Sequence, residues 1–138
     1  MAAFNKFNIF TYDVLAKKHD FTADTFKVAL SNTAPTAANT VLANITQISA
    51  GNGYTAGGTA TSMSLSTSSG TAKATGTDVV FTASGGSIGP TRYAVLYNDT
   101  AVNDPLVGWW DYGSSITLAT SETLTVDFDA ANGILTIV

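Results

Sequence analysis

The sequence predicts an all-β fold, mainly an antiparallel β-sandwich or barrel-like sheet of about seven or eight strands, with a short N-terminal amphipathic helix. The first observation is composition, since the chain is rich in threonine and serine and has a single glutamate. Threonine favours strands, whereas glutamate favours helices. The second observation is alternation of apolar and polar residues over short segments that are separated by glycine-containing turns. This alternation and an aromatic content of 10% argue against a disordered, low-complexity chain.

The first twenty residues follow a different period. Apolar residues recur there at the three-to-four spacing of one helix face, at Phe4, Phe7, Phe10, Val14 and Leu15. We predict an amphipathic helix over residues 3–18, in an N-terminal helical arm (1–20) that precedes a single β-sandwich domain (21–138). The helix either covers the sheet or docks onto a neighbouring subunit, with Ile9 and Tyr12 lying off the main stripe and available to a partner. A docking arm implies that deleting residues 1–18 weakens assembly more than it unfolds the sheet.

The remainder of the chain predicts the strands in order. Alternating or densely apolar segments occupy residues 26–30, 61–67, 72–75, 78–83, 92–97, 106–112, 122–129 and 134–138. Residues 40–48 fit either a short helix or an extended segment, and residues 50–58 form a turn or long loop. Apolar residues on both sides of segment 92–97 predict that both of its faces are covered. Asn132-Gly133 suits a tight hairpin turn between the last two strands.

Charge and composition exclude several classes of function. A net charge of -4 with only six basic residues is unsuited to nucleic-acid binding. The absence of cysteine excludes disulfides, thiolate chemistry and cysteine-ligated metals. No window approaches the ~20 apolar residues that span a bilayer, and the N-terminus lacks the pattern of a secretory signal. We therefore expect no nucleic-acid or membrane partner.

The ionisable residues predict no catalytic centre. The single histidine, His19, follows the predicted helix and is expected to be a capping or solvated residue, and no G-x-S-x-G elbow is present. Aspartate oxygens suit hard cations, and the aspartates considered are Asp99, Asp104, Asp111, Asp127 and Asp129. No calcium-loop pattern accompanies them, so we expect Asp127 and Asp129 to keep an outer sheet face polar. The sequence thus predicts no catalytic, cofactor-binding or metal-ligating residue and no enzyme.

The most suggestive cluster is the run from Trp109 to Tyr112. Successive side chains of a strand point to opposite faces, so one tryptophan is expected in the core and the other at the surface or under a loop. Exposed aromatic side chains anchor protein interfaces or form platforms for sugar rings, and core packing of both tryptophans is the alternative. The predicted protein-interface residues are Phe4, Phe7, Ile9, Tyr12, Trp109, Trp110 and Tyr112.

Five stretches that span nearly the whole chain share an overall pattern with a known family. They are Phe4–Phe7, Thr25–Pro35, Ile48–Gly58, Gly89–Asp99 and Asp104–Ser115. Their pattern resembles that of small structural proteins of tailed-bacteriophage virions. The resemblance implies a non-enzymatic virion component that is synthesised in the host cytoplasm, above all a head decoration or cement (minor capsid) protein.

Such a protein binds the capsid surface and self-associates, since capsid components bury surface against many identical neighbours. Its partners are capsid or other virion proteins, including copies of itself in a homo-oligomer, and it needs no cofactor. The alternatives are a tail, baseplate or fibre-associated structural protein and a carbohydrate-binding module of a receptor-binding apparatus. The family transfers no functional residues, so the interface residues above rest on this sequence alone.

Overall fold

The structure, a computed structural model, describes residues 2–138 and confirms the all-β fold with one short helix. The described residues form ten strands, which is more than the predicted seven or eight. The elements are β1 (Phe4–Lys6), α1 (Asn8–Leu15), β2 (Phe26–Ser31), a 3₁₀ helix (Leu42–Asn44), β3 (Thr59–Thr61), β4 (Met63–Ser68), β5 (Thr71–Gly76), β6 (Val79–Thr82), β7 (Ile88–Asn98), β8 (Leu106–Leu118), β9 (Thr123–Val126) and β10 (Leu135–Ile137).

The strands form three sheets in which all neighbours are antiparallel. A five-stranded sheet has the order β1-β8-β7-β2-β3, a three-stranded sheet the order β10-β5-β4, and β6 pairs with β9. The centre of the large sheet is the long β7–β8 pair, in which Ala94 lies opposite Trp110 and Val95 lies opposite Trp109. Alternation along these strands therefore sends neighbouring side chains to opposite faces of the sheet.

Both faces of the five-stranded sheet are covered, as the apolar residues on both sides of segment 92–97 predict. One face packs into the main core, whose buried members include Phe26, Val28, Phe81, Leu96, Trp110 and Phe128. The other face carries a second core of Phe7, Ala29, Ile45, Val95, Tyr97 and Leu106. Tyr97 is almost fully buried there and its hydroxyl donates a hydrogen bond to the Gly57 carbonyl at 2.6 Å. The loop after β2 is thereby attached to the sheet.

The predicted helix over residues 3–18 is wrong at both ends. Phe4–Lys6 is a strand that pairs with β8, and Phe4 packs edge to face on Trp110 with ring centroids 4.9 Å apart. The helix covers only Asn8–Leu15 and is followed by Lys17 in the left-handed region, with φ of 61°. A phenylalanine every three residues therefore reflects a strand followed by a helix, and not one continuous helical stripe.

The predicted hairpin at Asn132-Gly133 is also wrong, because the strands on either side belong to different sheets. β9 pairs with β6, whereas β10 pairs with β5. The Asp129 carboxylate accepts hydrogen bonds from the Asn132 backbone and side chain, and Lys73 Nζ on β5 donates to the Ala131 carbonyl at 2.8 Å. These contacts direct the chain toward β5. The ambiguous segment 40–48 contains the 3₁₀ helix and no strand longer than a single bridge.

Candidate functional site

An open groove is formed where the β7–β8 pair meets β9. Its volume is about 710 Å³, and its lining includes Arg92, Trp110, Asp111, Tyr112, Leu124 and Asp127. Two predicted interface residues, Trp110 and Tyr112, therefore line the same groove. We call this feature the β8–β9 groove.

An irregularity in β8 gives the groove its shape. Thr91 on β7 pairs with Ile116, but Tyr93 pairs with Asp111, so β8 carries extra residues between these two points. Gly113 lies inside this bulge with φ of 94°, a conformation that suits glycine. A bulge redirects side chains away from the regular pleat, and the Tyr112 side chain is 56% exposed. The bulge thus presents an aromatic ring to solvent beside the groove.

Arg92 and Asp111 form a fixed ion pair at this point. Arg92 Nε lies 2.8 Å from Asp111 Oδ1, and Nη2 lies 3.0 Å from Oδ2, which is a bidentate geometry. The hydrogen bond from Arg92, with a second from the Gly113 N–H, lowers the pKa of the Asp111 carboxyl below its ordinary value. The Arg92 guanidinium also lies 5.3 Å from the centroid of the Tyr93 ring. The groove therefore combines a bidentate ion pair with aromatic surface, which suits hydroxyl-rich or peptide ligands.

The two tryptophans lie on opposite faces of the sheet, as strand alternation predicts. Trp110 is 6% exposed in the main core, where its ring contacts Phe4 and Phe128 at centroid distances of 4.9 and 5.0 Å. Trp109 is half-buried on the other face and packs on Phe7 at 4.6 Å. Trp110 therefore contributes to the floor of the groove, and little of its ring is accessible.

The other predicted interface residues differ in exposure. Tyr12 on α1 is 65% exposed, and Tyr112 is described above. Phe4 and Ile9 are half-buried, and Phe7 is fully buried in the second core. The Phe7 side chain is buried within its own chain and cannot contact a partner. Tyr12 and Tyr112 are therefore the predicted interface residues that are best placed to contact a partner.

An exposed apolar surface that the sequence did not reveal lies on the three-stranded sheet. Leu65, Ala74 and Leu135 are cross-strand neighbours and therefore share one face. Ala74 is buried and Leu135 packs on the main core, but Leu65 is 50% exposed and Ile137, at the outer end of the same face, is 62% exposed. We call this outer part of the sheet the overhang. Alternation at 63–67 indicates the face, but not that the sheet extends past the core.

His19 is expected from the sequence to be a capping or solvated residue, and the solvated alternative is wrong because the residue is half-buried. Its ring packs on Phe10 and Phe26, with centroid distances of 5.2 and 6.0 Å. Its Nδ1 lies 3.3 Å from the amide nitrogen of the fully buried Asn98, and its Nε2 is buried without a hydrogen-bond partner among residues 2–138. The Asn98 amide also donates to Asp24 Oδ2 at 2.6 Å. This cluster packs beside the main core through Phe10 and Phe26.

Burial is the main cause of a lowered pKa at His19. The nearby carboxylates of Asp13 and Asp24 oppose this effect, whereas Lys18 adds to it. Asp13 is itself 1% exposed and pairs with Lys18 Nζ at 3.0 Å. Lys18 thereby offsets part of the effect of Asp13, and burial leaves the neutral form of His19 favoured.

The aspartates considered as cation ligands have other contacts. Asp99 pairs with Lys27 at 2.9 Å, and Asp127 accepts a hydrogen bond from the Asp129 N–H at 2.7 Å. Hydrogen bonds from Asn132 lower the pKa of Asp129. In the part of the chain that the structure describes, no group of three or more acidic or histidine side chains is placed to hold a metal ion.

Comparisons with protein-family models, with curated proteins and with solved structures find no match to this chain. Over residues 2–138, no helix has the length and apolar character needed to cross a membrane.

Proposed function

We propose that this protein is a non-enzymatic structural component of a tailed-bacteriophage virion, acting as a head decoration or cement protein that binds the capsid surface and self-associates. The observation that carries the proposal is the exposure of large apolar side chains on separate elements of a β-built body. Tyr12 and Leu15 on α1 are 65% and 82% exposed, and Leu65 and Ile137 on the overhang are 50% and 62% exposed. Contiguous exposed apolar surface marks interaction sites, and Tyr12 and Leu15, three residues apart on α1, are neighbours on the helix surface.

The body that carries these surfaces is suited to mechanical contact. Cores on both faces of the five-stranded sheet fix its central strands, and close-packed interiors have low compressibility. A component that contacts several neighbours under symmetry needs more than one contact surface. The resemblance of five stretches of the sequence to virion structural proteins supports the same function.

Binding to phage heads tests this proposal. Heads produced without the chain are mixed with purified protein and sedimented, and the proposal expects saturable co-sedimentation with a fixed number of copies per head. The variant Tyr12→Ser/Leu15→Ser removes the apolar surface of α1 and is expected to weaken binding at least tenfold. Val102→Ser is the matched control, because Val102 is 86% exposed on a loop. Wild-type protein that does not co-sediment with heads contradicts the proposed binding to the capsid surface.

A tail, baseplate or fibre-associated position is the alternative location for the same structural role. Copy number distinguishes the two, because a decoration protein occurs in tens to hundreds of symmetric copies, whereas a tail-tip component occurs in a few. Immunogold labelling of intact virions then locates the chain directly.

The β8–β9 groove favours a second candidate function, a carbohydrate-binding module of a receptor-binding apparatus. Its exposed Tyr112 ring beside the Arg92–Asp111 pair combines an aromatic stacking surface with hydrogen-bonding groups, a combination that suits sugar rings. A glycan array with wild-type chain and Tyr112→Ala tests this function. Binding that Tyr112→Ala abolishes and Tyr12→Ala preserves supports it, and an array without signal contradicts it.

A further inference from the structure

The longest edge strand among residues 2–138 is β4. The other edge strands are β1, β3 and β10 with three residues each and β6 and β9 with four, whereas β4 has six. β4 pairs with β5 on one side, and no described strand lies on its other side. A long edge exposes a row of N–H and C=O groups that can pair with another strand.

The β4 edge also lacks the features that prevent such pairing. Natural edge strands are protected by lysine, proline, bulges or very short length. Met63–Ser68 contains no charged residue and no proline, and it pairs with β5 without a bulge. In contrast, β1 ends on Lys6, and β9 is flanked by Glu122 and Asp127.

The turn that joins β4 to β5 determines which backbone groups face outward. Ser69 and Gly70 both have positive φ, 49° and 82°, as in a two-residue hairpin turn. In such a turn the flanking residues, Ser68 and Thr71, form a hydrogen-bonded pair. Successive residues of a strand direct their N–H and C=O groups to opposite sides, so residues 64, 66 and 68 bond to β5. Residues 63, 65 and 67 therefore direct their N–H and C=O groups to the open side.

The neutrality of this edge indicates which partner it takes. In a two-fold interface β4 of one subunit lies against β4 of the partner subunit. A charged residue on β4 would therefore lie near the same charged residue of the partner subunit, and the two would repel each other. The whole chain carries a net charge of -4, yet the β4–β5 hairpin has only one charged residue, Lys73, whose Nζ is bonded to the Ala131 carbonyl. Copies of this acidic chain therefore meet with little repulsion at β4.

We infer that two copies of the chain pair through β4 in antiparallel register, with Leu65 opposite Leu65 of the partner subunit. The inference specifies the contact for the self-association in the proposed function and rests on it. The pairing adds about six backbone hydrogen bonds and joins two three-stranded sheets into one of six strands. It also makes the two overhangs continuous, which covers the exposed Leu65 side chains with each other.

Engineered cysteines test the register, because the chain has no cysteine of its own. Ser64 lies opposite Ser66 of the partner subunit in a pair whose Cα atoms are about 4.5 Å apart, within disulfide range. The Cα atoms of residue 64 in the two subunits are about 8 Å apart, which is too far for a disulfide bond. A mixture of Ser64→Cys and Ser66→Cys chains is expected to form a covalent dimer on oxidation, whereas each variant alone is not. Equal cross-linking in all three preparations, or none in the mixture, overturns the register.

Charge substitution at Leu65 tests the pairing without cross-linking. Sedimentation velocity at high micromolar concentration is expected to show a wild-type dimer, monomers for Leu65→Lys and for Leu65→Glu alone, and a restored dimer when these variants are mixed. Val102→Lys, with the same change in charge at another exposed apolar position, is expected to remain dimeric. A monomeric wild type overturns the inference. This outcome is also expected if the β4 edge pairs with a strand of another virion protein and not with a second copy of the chain.

The two proposals fail in different ways. A wild-type chain that binds phage heads but stays monomeric in solution overturns β4 pairing and leaves the proposed binding to the capsid surface standing. A chain that dimerises through β4 but binds no part of the virion supports the pairing and contradicts the proposed function.

Discussion

Replacement of Phe7 by alanine is expected to destabilise the whole β body. Phe7 is 0% exposed, lies in the second core and packs on Trp109 at a centroid distance of 4.6 Å. Truncation of a fully buried phenylalanine costs about 3–5 kcal/mol, from lost burial and from the cavity that remains. Domains of this size have a free energy of unfolding of about 5–15 kcal/mol, so Phe7→Ala removes a large share of the stability.

Urea unfolding followed by tryptophan fluorescence measures this loss. With a slope of about 2 kcal/mol per molar urea, a loss of 4 kcal/mol lowers the midpoint by about 2 M. Leu15→Ala is the control in the same segment, because Leu15 is 82% exposed and a surface substitution changes stability by about 0.5 kcal/mol or less. A Phe7→Ala midpoint within 0.3 M of wild type would show that the N-terminal segment is a separable arm, and would refute its assignment to the core.

Three further predictions concern the sheet edge, the groove and the buried histidine. Gly108→Ala places a methyl group against the Phe4 ring, so β1 should be displaced and the melting temperature should fall; an unchanged melting temperature would show that β1 is not seated on β8. In a carbon-detected NMR titration, the Asp111 carboxyl should titrate below its ordinary range and return toward it in Arg92→Gln, since the arginine is the main cause of its lowered pKa; equal titration in both chains contradicts the ion pair. Because burial lowers the pKa of His19 in the folded state, the unfolded chain binds the proton more readily, and stability should decrease as the pH falls below about 6.5. Urea unfolding at each pH measures the free energy of unfolding, and its decrease between pH 7 and pH 5 should be absent in His19→Gln. A decrease that persists in this variant assigns the effect to another group.

Alternation of side chains made the central strands predictable. Val95 and Tyr97 lie in the second core, and Ala94 and Leu96 lie in the main core, as the period of two requires. The N-terminal strand was not predictable in this way, because Phe4 and Phe7 are spaced as on a helix. Their true environment depends on pairing with β8, about a hundred residues away in the sequence.

The candidate surfaces were only partly predictable for a related reason. The run at 109–112 indicated a tryptophan on each face, and the structure places them so. The exposure of Tyr112 depends on the bulge in β8, which interrupts the period and has no signature beyond Gly113. The overhang and the open edge of β4 depend on how far one sheet extends past the core, and no local pattern encodes that distance.

The most direct test is a cryo-electron microscopy density map of virions purified from phage-producing cells that express this chain. The expected map shows the chain in many symmetry-related copies on the head surface, with the apolar face of α1 against a capsid protein and β4 paired with β4 of a neighbouring copy. Purified virions that contain no copy of the chain would contradict the proposal of a virion structural protein.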